Sequence, residues 1–158
     1  MTAQDSIAED AAAPPIPDLD DLLCFAVYAT GFAFNRIYRK PLARLGLTYP
    51  QFLVMTALWG EDGVAVGALG DRLALDTSTL TPLLKRLEGM GLVARRRDEA
   101  DERRVIVSLT VSGSVMRAEL GQIMRCILDA SDLTPEAFVK LTHDIQTLRR
   151  NLERAAAA

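Results

Sequence analysis

The chain has 158 residues, 49% hydrophobic and 25% charged, which leaves room for one ordinary hydrophobic core and excludes collagen-like, disulfide-scaffold and disordered compositions. The formal net charge of −3 is unevenly placed: residues 1–21 hold six acids (Asp5, Glu9, Asp10, Asp18, Asp20, Asp21) and no base, leaving 15 of the 21 acids against all 18 bases in the rest. The body is therefore mildly basic, and since local charge decides phosphate binding, the acidic total does not argue against nucleic acid. No apolar run reaches the length of a membrane span, and residues 1–21 lack the Lys or Arg of a signal peptide, so a cytoplasmic protein without a membrane partner is expected. Two cysteines, Cys24 and Cys126, with one histidine, His143, cannot build a four-ligand zinc site, and no metal or cofactor is expected.

Residues 1–17, rich in Ala, Asp and Pro, read as a flexible acidic arm. Asp18 suits an N-cap, and residues 19–39 have no interior proline, which predicts a long first helix ending before Pro41. Shorter helices are predicted over 42–45, stopped by Gly46, and over 50–59, opened by Pro50. A helix over 66–73, a tight turn at 74–76 and a helix over 77–88, ended by Gly89 or Gly91, give a helix-turn-helix outline. Leu92, Val93 and Ala94 then lead through a charged stretch to the alternating Val105, Val107 and Leu109, which reads as a two-stranded hairpin. Two more helices are predicted over 112–131 and 135–154, with His143 on the last as a surface or interface residue.

Thr77, Ser78, Thr79 and Thr81 crowd the start of the second helix of the pair, where hydroxyls can meet phosphates or base edges. Asp76, Thr77, Ser78 or Thr79 can each serve as the cap, and the choice decides whether Pro82 falls in the tolerated first turn or costs a bond in the second. Lys85 and Arg86 follow one turn later, placed to hold a DNA backbone if this helix lies in a major groove. The hairpin carries Arg95, Arg96, Arg97, Arg103 and Arg104 around the acids Asp98, Glu99, Asp101 and Glu102. Arginine on such an arm suits a minor groove, although the interleaved acids also fit a self-neutralised surface loop.

On the first helix Cys24, Tyr28, Gly31, Asn35 and Tyr38 fall within roughly 40° of one line, at spacings that alternate between four and three. Leu23, Phe25, Val27, Phe32, Phe34 and Ile37 cover much of the remaining circumference, so the helix should be buried. Phenols donating to a thiolate stabilise it over the thiol, lowering its pKa and making it a nucleophile. Tyr28 can reach Cys24 from the next turn, whereas Tyr38 stands about 21 Å further along the axis and can touch Cys24 only from another subunit.

The segment Asp76-Thr-Ser-Thr-Leu-Thr-Pro-Leu-Leu-Lys-Arg-Leu-Glu88, with Gly91-Leu-Val-Ala-Arg-Arg-Arg97 and Asp101-Glu-Arg-Arg-Val-Ile-Val-Ser-Leu-Thr110, resembles the MarR family of dimeric winged-helix regulators. Leu22-Leu-Cys-Phe-Ala-Val-Tyr28 and Leu47-Thr-Tyr-Pro-Gln-Phe52 resemble its organic hydroperoxide resistance regulators (OhrR). The resemblance implies a mainly α fold: a winged helix-turn-helix over 46–111, with a helical dimerisation region from 18–45 and 112–154. It further implies an intertwined homodimer that represses by binding double-stranded operator DNA and is released when organic hydroperoxide oxidises Cys24. By the same resemblance Tyr28, Tyr38 and Tyr49 surround the reactive thiol, and Asp101 orients Arg103, the wing arginine of the minor groove.

Cys126 lies at the edge of an apolar stripe formed by Met116, Leu120, Ile123 and Ile127, where a moving partner can reach it. A Cys24 sulfenic acid can condense with such a thiol, and the resemblance permits a Cys24–Cys126′ bridge between subunits without requiring it. Two rival functions differ in class. A regulator gated by a small aromatic ligand would leave Cys24 as a core residue. A thiol peroxidase would turn over hydroperoxide, but the chain lacks thioredoxin-like alternation of strands and helices, so no enzyme is expected.

Overall fold

The computed structural model describes residues 16–158. The acidic arm expected over 1–17 lies outside the described residues apart from Ile16 and Pro17. The chain divides into two units, residues 1–34 and 35–158.

In the first unit, the Asp18 side chain accepts the Asp20 amide at 3.1 Å and caps a 3₁₀ turn, Leu19–Asp21. The cap residue is the expected one, but the α-helix, α1 (Leu23–Ala43), begins only after that turn. The expected burial of α1 is not found in the single chain: Leu23 and Tyr28 are 60% and 63% exposed, Val27 and Phe32 are exposed too, and Tyr38 and Leu42 are its only buried residues. Periodicity reports which face is apolar; it does not say which molecule covers that face. Tyr28 packs edge-on against Phe32 with centroids 4.7 Å apart, as aromatic pairs prefer.

In the second unit α1 runs through Pro41 to Ala43, two turns being merged where a break was expected. A proline there gives up its own amide bond and crowds the Ile37 carbonyl, a cost met close to the helix end, and the helix stops shortly before Gly46, whose φ of +68° favours glycine. α2 (Tyr49–Gly60) forms the centre of the core, burying Phe52, Val54, Met55, Leu58 and Trp59. Its start is held by buried Gln51, whose Oε1 accepts the Thr48 amide at 2.8 Å and the Thr48 hydroxyl at 3.1 Å.

α3 (Val66–Leu73) and α4 (Thr77–Gly89) pack on α2 through Leu69, Leu80, Leu84 and Leu87. The turn between them needs a close approach: a Cβ on Gly70 would lie 2.8 Å from the carbonyl oxygen of Leu75, so only glycine fits. The expected hairpin is present as β2 (Val93–Arg97) and β3 (Val105–Leu109), antiparallel with Arg95 opposite Val107. A third strand not foreseen, β1 (Val64–Ala65), pairs Val64 with Val107 and completes a sheet of order β1-β3-β2. Two residues carry too little alternation to be read from sequence; pairing with β3 defines them.

The helix expected over 112–131 is interrupted: α5 (Val111–Val115) passes through a 3₁₀ segment, Met116–Glu119, into α6 (Leu120–Ser131). α5 is pinned at its start, since Thr110 caps the Gly113 amide and the Gly113 carbonyl accepts the Trp59 indole N–H at 2.8 Å. α7 (Pro135–Ala156) is capped by Thr134 and has no buried residue, leaving Val139, Leu141, Ile145 and Leu152 exposed. Among the described residues no helix is long and apolar enough to cross a membrane.

Candidate nucleic-acid interface and thiol sites

Asp76 caps α4. Its Oδ1 accepts the Thr79 amide at 2.8 Å, and the Ser78 and Thr79 hydroxyls donate to the same carboxylate. The Ser78 hydroxyl first, and the Thr79 amide next, hold this carboxyl below the usual carboxylate range. The alternatives for the cap thereby close, and Pro82 falls in the second turn, where it cannot supply the bond to the Ser78 carbonyl. The four hydroxyls divide between two tasks: Ser78 and Thr79 serve the cap, while Thr77 and Thr81 line a cleft of about 610 Å³ between α3, α4 and the hairpin.

The same cleft is lined by Arg95, Arg103 and Arg104, by Gly67 and Ala68 of the first turn of α3, and by Asp71. Hydroxyls and guanidinium groups lining one cleft form a surface suited to phosphate oxygens. Lys85 and Arg86 stand exposed on α4, and Arg96, Arg97, Arg103 and Arg104 are exposed on the wing.

The wing tip is ordered by its acids acting on backbone. Asp101 Oδ1 accepts the Arg103 amide at 3.1 Å, and the Asp101 carbonyl accepts the Arg104 amide at 2.9 Å. Asp98 accepts the Ala100 amide at 3.0 Å and faces the Arg104 guanidinium at 3.9 Å. Asp101 thus meets Arg103 through the main chain, which sets where the side chain departs. At the base of the wing, Asp62 Oδ1 accepts the amides of Gly63 at 2.8 Å and Leu109 at 2.7 Å, tying the approach to β1 to the end of β3.

Arg95 differs from the other wing arginines. Its Nε donates to Glu88 Oε2 at 3.0 Å and its Nη2 to the same oxygen at 2.5 Å, while its amide donates to Glu88 Oε1 at 3.2 Å. The Arg95 guanidinium holds the Glu88 carboxyl below the usual range, against a smaller push from desolvation. Glu88 and Asp62 were not singled out from sequence, because each acts on a partner in another element and no local pattern marks it.

Cys24 is an exposed free thiol on α1, one turn before Tyr28. Tyr38 and Tyr49 are brought together, centroids 4.7 Å apart, with Phe52 at 5.5 Å from Tyr38. Burial first, then the neighbouring Tyr49, pushes the Tyr38 phenol up to about 12, and burial raises Tyr49 as well. Both phenols therefore remain hydrogen-bond donors at neutral pH. Cys126 is exposed beside buried Ile123 and Ile127, at the edge of the α6 stripe, and lines a groove of about 320 Å³ with Ile37, Lys40, Pro41 and Arg44. His143 is exposed on α7.

A family model described as transcriptional regulator SarA/Rot matches residues 36–120. The chain is 43% identical over 140 residues to the HTH-type transcriptional regulator TtmR of Methylorubrum extorquens, covering 89% of this chain and 72% of that protein. It is 38% identical over 136 residues to the organic hydroperoxide resistance transcriptional regulator of Bacillus subtilis, covering 86% and 92%. Among solved structures, reduced AbfR bound to DNA, a protein of Staphylococcus epidermidis, superposes with a TM-score of 0.73 at 33% identity, covering 87% of this chain and 94% of that one. AbfR has also been solved in a disulfide-formed state, with a TM-score of 0.60 at 36% identity over 82% of this chain and 91% of that one. A mainly helical chain with a small antiparallel sheet, a cationic wing beside a hydroxyl-bearing helix, and these matches over most of its length place it in one family: the chain belongs to the SarA/Rot and MarR-type winged-helix transcriptional regulators, which bind DNA.

Proposed function

We propose that the chain is a homodimeric repressor that holds double-stranded operator DNA through α4 and the wing and lets go when an organic hydroperoxide oxidises Cys24. The observation that carries the redox half is the exposure of the Cys24 thiol on a helix whose apolar side chains are exposed with it. A surface of that kind asks for a second copy to cover it, and a thiol at its margin stays within reach of small oxidants. The resemblance to the B. subtilis organic hydroperoxide regulator supports the choice of oxidant. In the reaction, Cys24 sulfur attacks the distal peroxide oxygen, the O–O bond breaks, the alcohol leaves, and the sulfur is left as sulfenic acid. The Cys126 thiol of the second copy then displaces water to form a disulfide.

On the DNA side, Thr77, Thr81 and Arg104 of the cleft meet the backbone, Lys85 and Arg86 follow the major groove, and Arg103 enters the minor groove. A gel-shift titration on the promoter region of the chain's own gene, with reduced and cumene-hydroperoxide-treated protein, tests both halves. Reduced protein should shift the duplex and treated protein should not, with the response lost in Cys24→Ser. An equal shift before and after oxidation of Cys24 would remove the redox half.

A further inference from the structure

We propose that Glu88 and Arg95 form a clamp that fixes the angle of the wing to α4, acting as positioning residues for Arg103. This rests on the reading that Arg103 enters DNA. In the sheet order β1-β3-β2 the strand β2 is an edge, held by backbone bonds to β3 on one side only. On its other side the Arg95 amide is taken by Glu88 Oε1, and the Arg95 side chain closes on Glu88 Oε2 through two nitrogens. Glu88 sits one residue from the end of α4, so the helix that carries Thr77 and Thr81 is tied directly to the strand that leads to the wing tip. The chain between them passes through Gly91 at φ +72°, and the Leu92 amide donates to the Leu87 carbonyl at 3.0 Å, so the clamp adds a side-chain tie to a short backbone turn.

The contact is half-buried, with 25% of the Arg95 and 37% of the Glu88 side chain exposed, so water weakens it less than a fully solvated pair. A hairpin rises about 3.3 Å per residue, and Arg103 lies beyond the last paired residues, Arg97 and Val105. A small rotation at Arg95 is therefore magnified at the tip. A simpler role for Arg95, direct attraction of phosphate from the cleft it lines with Arg103, makes the opposite prediction for Glu88. If Glu88 merely neutralised a DNA-binding arginine, removing it would tighten binding.

The test is a cycle of Glu88→Ala, Arg103→Ala and the double variant on a duplex of the chain's own promoter region, with thermal unfolding as a check on the fold. Glu88→Ala should weaken binding about tenfold, and should add nothing once Arg103→Ala is present. Arg95→Lys, which keeps the charge and loses the two-point contact, should fall between wild type and Glu88→Ala, and the swap Glu88→Arg with Arg95→Glu should recover part of the loss. In the free protein, amide exchange over 95–104 should rise in Glu88→Ala. Tighter binding by Glu88→Ala, additive losses in the double variant, or unchanged exchange in the wing each overturns the clamp. Wild-type protein that fails to bind the duplex overturns the DNA reading and the clamp's role with it, whereas normal loss in Arg103→Ala with none in Glu88→Ala overturns the clamp alone.

Discussion

Tyr38 and Tyr49 pack with ring centroids 4.7 Å apart and planes tilted by 37°, and burial raises both phenols above the ordinary 10.0, Tyr38 to about 12. The unfolded chain loses these protons first as pH rises, so their contribution to stability is complete below pH 10 and is lost as pH climbs toward 12. Thermal unfolding followed from pH 9 to pH 12 should show a falling midpoint whose slope shrinks in Tyr38→Phe. An identical slope in that variant would show that the phenol ionises as readily folded as unfolded.

Arg103→Ala should leave the fold intact and weaken operator binding by about 1–3 kcal/mol. The affinity of wild-type protein should fall steeply with salt as phosphate contacts release counterions. Fluorescence anisotropy at several salt concentrations measures both effects, and full affinity in the variant would take the wing out of DNA binding.

Hydroperoxide-treated protein should run as a covalent dimer on a non-reducing gel, and the dimer should vanish in Cys126→Ser. Cys126 is exposed at the edge of the α6 stripe, as such a role requires. A wild-type sample that remains monomeric on the gel while Cys24 is oxidised would leave Cys126 as a passive residue.

Much of the winged region was legible because its signals are local. The run of cap formers from Asp76 to Thr79, the glycines Gly89 and Gly91 at the end of α4, and the alternation from Val105 to Leu109 each act on residues within a few positions, and the structure places those boundaries within a residue or two. What could not be read depends on distant partners. β1 exists only because β3 lies beside it, the helix break after Val115 follows a start pinned by Trp59, and the exposed face of α1 looks like a core face to any periodicity argument. The site divides in the same way. Arginines in the wing were visible as a cluster, but Arg95 could not be separated from the others until Glu88 was seen closing on it. Likewise the four hydroxyls at the start of α4 looked equivalent, and the carboxylate of Asp76 sorts them.

Gly113→Ala should destabilise the chain by about 1–3 kcal/mol. A Cβ at this position would stand 2.0 Å from the Leu92 carbonyl oxygen and 3.3 Å from Leu109 Cδ2. The backbone oxygen cannot swing aside as a flexible side chain can, so α5 must lift from the end of the sheet. Urea unfolding should show the loss, and a midpoint equal to that of wild type would mean the junction is looser than its geometry.

The bond from the Trp59 indole to the Gly113 carbonyl has an optical consequence, because this tryptophan is the single one in the sequence. Indole emission responds to the polarity and hydrogen bonding of its surroundings, so the colour of the protein's own fluorescence reports on the seam where α2 meets the start of α5. The seam joins the winged region to the helices that follow it. Any strain passed along that route has to cross an emitter already in place, and a stopped-flow trace of native emission after hydroperoxide is added can time the crossing without a label.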